Sequence, residues 1–160
     1  MKNWNVLFVK PRTEKKATEY CALYGIPSYL PLRAKTHVVQ RRKVTFMVPV
    51  FPGYVFAKFS PEQRLLLLQT NLLVRVLAPL NPRRMLRDLI MVRRALKADP
   101  ELKPAKPLTQ GRLVRITGGP LMGVEGRVAR MAGTMKVVLN VEMIGRAISV
   151  TAQIEQIEIL

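Results

Sequence analysis

The sequence predicts an α+β domain, an antiparallel sheet with helices on a face, followed by a linker and a small all-β domain of the SH3-like barrel type. Three observations carry this expectation. Over residues 1–98 the local patterns run strand, helix, hairpin, helix, strand, helix. From Gly111 onward they change to short strands at close spacing, and seven of the nine glycines lie there. Between the two regimes, Asp99–Gln110 holds three prolines in eight residues, which opposes helix and sheet and favours a stiff, extended spacer. The expected parts are therefore 1–98, a linker over 99–110, and 111–160.

Trp4 to Lys10 is rich in β-branched and aromatic residues and is expected as a strand that Pro11 ends. Thr13 is placed to cap a helix, Glu14 suits its first turn and Gly25 its end. Ala17, Tyr20, Cys21 and Tyr24 follow the i, i+3, i+4, i+7 spacing of a buried stripe, with Lys15 and Lys16 opening the wet face. Ser28 to Lys43 and Val44 to Val50 read as the two arms of a long hairpin crested by Gln40-Arg41-Arg42-Lys43. A cationic crest also serves to keep an exposed strand from pairing with other chains.

Pro52-Gly53 marks a bend into a strand on which Tyr54 and Phe56, two apart, share a face. Ser60-Pro61-Glu62-Gln63 is a helix start with a serine cap, proline at the first helical position and glutamine at the third. Val74 to Leu77 is a short strand. Arg83 to Ala98 is a helix with Leu86, Leu89, Ile90 and Leu96 on one face and six cations over much of the rest. In the second part, strands are expected at Leu113–Thr117, Gly126–Met131, Met135–Val141, Ile144–Val150 and Ile154–Ile159.

The chain has 160 residues, 27 Lys plus Arg and 10 Asp plus Glu, a net charge of +17. A surface this basic seeks a polyanion. Residues 1–98 carry 19 cations against 4 acids, while 111–160 carry 6 against 4, so the attraction belongs to the first part. Hydrophobic residues at 49% supply a core and rule out wholesale disorder. The longest apolar runs, such as Leu65 to Leu68, are too short to span a membrane, so no membrane partner is expected. Met1 to Lys10 lacks the apolar region of a signal peptide, and a reducing cytoplasm is the expected compartment. One cysteine, Cys21, and one histidine, His37, exclude an internal disulfide and the usual zinc sites, and no metal or other cofactor is expected.

Two segments resemble a known family. Gly111-Arg-Leu-Val-Arg-Ile-Thr-Gly-Gly-Pro-Leu-Met-Gly-Val-Glu-Gly-Arg-Val128 is similar to the KOW motif. Pro49-Val-Phe-Pro-Gly-Tyr-Val-Phe56, with Gly25-Ile-Pro-Ser-Tyr-Leu-Pro31 and Trp4 before it, resembles the NGN domain of NusG. The resemblance runs through the whole chain in the same order. Glu14-Lys15-Lys16, Tyr29-Leu30-Pro31 and the Gln40–Lys43 crest lean toward the specialised paralogues of RfaH or UpxY type.

That resemblance implies a transcription elongation or antitermination factor. Its NGN domain would bind the clamp helices of RNA polymerase, contact the non-template DNA strand and suppress pausing or termination. Its KOW domain would recruit the ribosome or Rho, and the factor would act as a monomer. Phe8, Phe51, Tyr54 and Phe56 stand where the family docks on polymerase, and aromatic anchors suit such an interface. The plainer alternative is that all four are ordinary core. Lys10, Arg12, Lys15 and Lys16 stand where related paralogues face DNA, and Arg41, Arg42, Lys43 and Arg75 would extend the basic track. The arginines of 83–97 would touch duplex DNA or an acidic surface, or form a solvated helix face. Leu65-Leu66-Leu67 departs from the polar residues that some paralogues use against the polymerase gate loop, so that contact is apolar or absent. Residues such as Val137, Val141 and Ile148 favour strands and Gly133 and Gly145 oppose long helices, so the KOW domain is expected to stay a barrel.

Two rival functions make different demands. A ribosome-associated or ribosomal-RNA-binding KOW protein fits the overall charge, but its KOW module should itself be basic, and this one carries only +2. An enzyme needs a base paired with a nucleophile, or paired carboxylates for metals. Residues 1–98 hold four acids, Glu14, Glu19, Glu62 and Asp88, and no such set is visible.

Overall fold

A computed structural model describes residues 1–130 and 134–160, the side chain of Arg130 excepted. In chain order the elements are β1 (Asn3–Val9), α1 (Glu14–Leu23), β2 (Ser28–Tyr29), β3 (Leu32–Val39), β4 (Arg42–Pro49), β5 (Tyr54–Phe59), α2 (Pro61–Gln69), β6 (Leu73–Leu77), α3 (Pro82–Ala98), β7 (Pro104–Ala105), β8 (Leu113–Ile116), β9 (Glu125–Arg130), β10 (Met135–Val141), β11 (Arg146–Ala152) and β12 (Ile157–Ile159). By contacts the chain divides into residues 1–31 with 49–82, and residues 32–48 with 83–160. This division falls elsewhere than the proline-rich boundary, because the hairpin and α3 group with the C-terminal strands.

The first unit is built on a four-stranded antiparallel sheet in the order β2-β5-β1-β6. Leu7, Val9, Val55, Ala57 and Phe59 form a core with Ala17 and Cys21 of α1, Ile26, and Leu67 of α2. Helix α1 ends in a Schellman arrangement, with the Gly25 N–H donating to the carbonyl of Ala22 and the Ile26 N–H to that of Cys21. Its start departs from expectation. Thr13 makes no side-chain cap, because its hydroxyl donates instead to the Lys10 carbonyl at 2.6 Å. At α2 the capping box is complete: Gln63 N–H donates to Ser60 Oγ at 3.2 Å and Ser60 N–H to Gln63 Oε1 at 3.0 Å. Leu67 alone of the leucine run turns inward, leaving Leu65, Leu66 and Leu68 exposed.

The second unit holds the β3–β4 hairpin, α3 and a six-stranded sheet in the order β12-β8-β9-β10-β11-β7, antiparallel at every pairing. Its buried apolar residues include Val114, Ile116, Val137, Leu139, Val141, Ile148 and Val150. The expected strands are present with shifted ends. Glu142–Ile144 and Ile154–Gln156 are 3₁₀ turns rather than strand starts. Met131, the expected end of the second strand, and Gly133 lie outside the described residues.

Two expectations are corrected here. The buried face of α3 is Met85, Leu89, Val92, Ala95 and Leu96, while Ile90 is half exposed and Leu86 only partly covered. The opposite side chains face the C-terminal sheet: Arg84 pairs with Glu142 at 2.7 Å, Arg87 with Glu125, and Arg94 donates to the Gly123 carbonyl. The linker is not a free spacer either. Pro104 and Ala105 pair with Ile148 and Ala147 as an edge strand, where a missing N–H is tolerated. The Asn140 side chain then holds Leu108 from both sides, accepting from its N–H at 3.0 Å and donating to its carbonyl at 2.7 Å.

Candidate functional site

Three strands of the first unit lay their side chains in rows. Phe8 on β1 stands opposite Tyr54 on β5 and opposite Arg75 on β6. Alternation puts all three on one face. The Phe8 and Tyr54 rings lie 5.2 Å apart at a tilt of 34°, both half-buried, and Arg75 is exposed. The row is thus an open aromatic pair with a cation at its end.

One row inward, Phe56 stands opposite Val6, and both are fully buried. Tyr54 and Phe56 do share a face, as their spacing requires, but they do not share exposure. Position 54 opens β5 at the rim of the sheet, whereas 56 lies in its interior. Phe51 is buried as well, at 1%. Phe51 and Phe56 therefore present no surface to a partner, and the patch of four aromatic residues reduces to Phe8 and Tyr54, with the other two packed as core.

The bend before β5 fixes this pair. Gly53 has φ +91°, and a Cβ there would lie 2.8 Å from Phe8 Cε1. Its carbonyl accepts from the Val9 N–H at 2.8 Å, and its own N–H donates to Glu14 Oε2 at 3.1 Å. Glu14 is buried, the one charged residue so placed among those described. Sequence reading assigned this acid to the electrostatics of a helix start and missed its role as a support. The available signal was its position as the single acid within Lys10–Lys16.

The Glu14 contact joins the aromatic row to the basic corner. Lys10, Arg12, Lys15 and Lys16 are exposed around the turn from β1 into α1. Lys10 N–H donates to the Leu72 carbonyl at 2.9 Å, which ties this turn to the approach to β6. Arg12 adopts φ 62°, a conformation that side chains rarely take, and its side chain remains exposed. Arg41, Arg42 and Lys43 sit at the tip of the β3–β4 hairpin, in the second unit, and form a basic group of their own.

Catalytic chemistry finds little to work with. Cys21 is buried, and burial pushes its thiol up to about 11, with a Ser28 hydrogen bond acting the other way. Such a thiol stays neutral and unreactive. Among the described residues no group of three or more His, Cys, Asp or Glu side chains is placed to hold a metal ion. No helix among them is long and apolar enough to cross a membrane.

A family model named NusG, "Transcription termination factor nusG", matches residues 2–92, the segment that carries both the aromatic row and the basic corner. The chain belongs to the NusG family. It is accordingly a transcription factor of NusG type rather than an enzyme. The structure described as "Domain interaction in Thermotoga maritima NusG" is similar over 99% of this chain and 97% of that one, with a TM-score of 0.54 and 19% identity. That similarity includes the C-terminal antiparallel strands, so both parts of the NusG architecture are present: an NGN sheet with helices and an all-β KOW region. Two structures of the MjSpt4:Spt5 complex, conformations A and B, align over 98% of the chain at 14% and 13% identity with TM-scores of 0.32. No curated protein matches the chain.

Proposed function

We propose that this NusG-family chain binds RNA polymerase during elongation through Phe8 and Tyr54 and contacts the non-template DNA strand through Lys10, Arg12, Lys15, Lys16 and Arg75. The effect is suppression of pausing or termination, and the chain acts as a specialised paralogue. The observation that carries the reading is the Tyr54–Phe8–Arg75 row, an accessible ring pair ending in a cation. Aromatic rings bury large area with few rotatable bonds, and an apolar tip of a partner helix fits such a pair. Glu14 and Gly53 hold the rings beside the basic corner, so one approach engages protein and nucleic acid together.

The Arg41, Arg42 and Lys43 group adds a second basic contact. The KOW region carries a net of only +2, which suits a protein partner, ribosomal or Rho, better than a nucleic acid.

The test is retention of the chain on purified core RNA polymerase together with pause lifetimes on a transcribed template. Tyr54→Ala is expected to lose polymerase binding and the shortening of pauses while keeping its thermal transition. Lys15→Gln/Lys16→Gln is expected to keep binding to polymerase alone and to weaken binding to the elongation complex. Retained pause suppression in Tyr54→Ala would overturn the docking assignment.

A further inference from the structure

The β3–β4 hairpin carries a feature that its cationic tip does not explain. His37 and Phe46 sit with ring centroids 5.9 Å apart, and both are exposed, Phe46 at 48%. Alternation places Lys35, His37 and Val39 of β3 on one face and Arg42, Val44 and Phe46 of β4 on one face. The ring contact makes these the same face. Thr36 and Thr45, whose hydroxyls lie 3.3 Å apart, mark the opposite one.

We propose that this face of the hairpin is a binding platform for single-stranded nucleic acid, with His37 and Phe46 stacking on bases and Lys35 and Arg42 holding the backbone. Residues 32–49 contain five cations and no acid, so the charge complements a phosphate chain. Exposed rings among cations are the recurring means of holding unpaired bases, since every base has a face to stack. A duplex keeps its bases stacked on each other and offers the rings nothing, so the platform selects single strands.

A lipid surface fits less well. Val38 and Met47 are exposed on the opposite face with Lys43, so apolar groups and cations occur on both sides of the ribbon, whereas a bilayer takes one apolar side. The turn supports a binding role too. Gln40 and Arg41 both take positive φ, 49° and 66°, where Asn-Gly would sit without strain. The chain keeps a cation at the tip against that preference, and strain retained in this way gathers at functional positions.

The platform deepens the reading that the chain contacts DNA at the bubble, and the experiment separates the two. Fluorescence anisotropy would compare a labelled oligothymidylate with a duplex of the same length, using the full chain across a salt series. Phe46→Leu is expected to weaken the oligonucleotide about tenfold, the size of one lost ring–base stack. It should leave the salt slope and duplex binding unchanged. Arg42→Gln is expected to reduce the log–log salt slope by about 0.7, one phosphate contact on a single strand.

Native affinity in Phe46→Leu would overturn the platform. So would an equal loss for oligonucleotide and duplex, or an effect confined to anionic phosphatidylserine vesicles. Lys15→Gln/Lys16→Gln, measured alongside, reports on the N-terminal track alone; a loss there with none in Phe46→Leu removes the platform and leaves the other reading standing. Should Phe46→Leu misfold, Phe46→Trp in a Trp4→Phe background decides by itself. Quenching of the new indole by oligothymidylate is expected, and no quenching overturns the proposal.

Discussion

The carboxylate of Glu14 accepts a hydrogen bond from the backbone N–H of Gly53, 39 residues away, at 3.1 Å inside the first unit. A hydrogen bond to a buried charged group contributes about 1.5–3 kcal/mol. Glu14→Ala should therefore destabilise the chain by about that amount, while Glu14→Gln, whose amide oxygen can still accept, should recover most of it. Chemical denaturation of both variants checks this, and equal losses would show that the acceptor is not what matters.

Gly53 allows a sharper prediction. With φ at +91° and Phe8 Cε1 only 2.8 Å from any added Cβ, Gly53→Ala must strain the backbone and push the ring aside. The expected cost is about 1–3 kcal/mol from the backbone alone. In a crystal structure or aromatic NMR spectrum of the variant, the Phe8 ring should be displaced from Tyr54.

Tyr54 and Phe56 should separate in experiment. Phe56 is fully buried, and Phe→Ala in a core costs about 3–5 kcal/mol, so Phe56→Ala is expected to unfold or melt at much lower temperature. Tyr54 is half-buried at the strand's start, and its alanine variant should stay folded. Thermal melts of the two variants provide the measurement, and similar melting temperatures would contradict the burial difference.

The contacts of α3 give pH effects of opposite sign. Burial raises the Asp88 carboxyl from 3.8 to about 6, against the Glu142 N–H and Arg84, which lower it. The folded state therefore binds the proton more tightly than the unfolded chain, and stability falls as pH rises between those values. Asp88→Asn should flatten that decline and be the more stable protein at pH 7. Glu125 is held below the ordinary carboxylate range by its hydrogen bond from Arg87 first and Arg115 next. Its contribution is present at neutral pH and is lost as pH falls through the lowered value, so Glu125→Gln should destabilise at pH 7 and converge with the native protein in acid. Melting temperatures across a pH series test both.

Cys21 should resist thiol reagents. A buried thiol raised to about 11 holds almost no thiolate at pH 8, so modification by a disulfide reagent should await unfolding. Rapid reaction in the absence of denaturant would show that the α1 packing opens readily.

Local grammar explains what was legible. The α2 start was readable because Ser60, Pro61 and Gln63 act on one another within a single turn. The alternation that puts Tyr54 and Phe56 on one face was equally readable, but which row the sheet covers depends on strand length and neighbours, and no spacing encodes that. The face of α3 was legible only in Leu89 and Leu96, for a related reason. Met85 and Val92 are as apolar as Leu86 and Ile90, so periodicity offered two stripes and the partner surface chose between them. Glu14 does stand in the first turn of α1, as expected, but its second role was hidden, because a helix-start acid and a buried acceptor look alike until Gly53 arrives from 39 residues away. Prolines in 99–110 signalled a stiff, extended spacer outside any sheet, yet Pro104 needs no N–H at the outer edge of β11.

Proteases read a chain by drawing it out as an extra strand in their own clefts. At one end of the segment from Pro104 to Leu108, Pro104 and Ala105 pair with β11, and at the other the Asn140 amide holds the N–H and carbonyl of Leu108. A stretch that composition alone marks as an easy place to cut is thereby tied at both ends, and nicking there should be slower than at exposed turns without such ties.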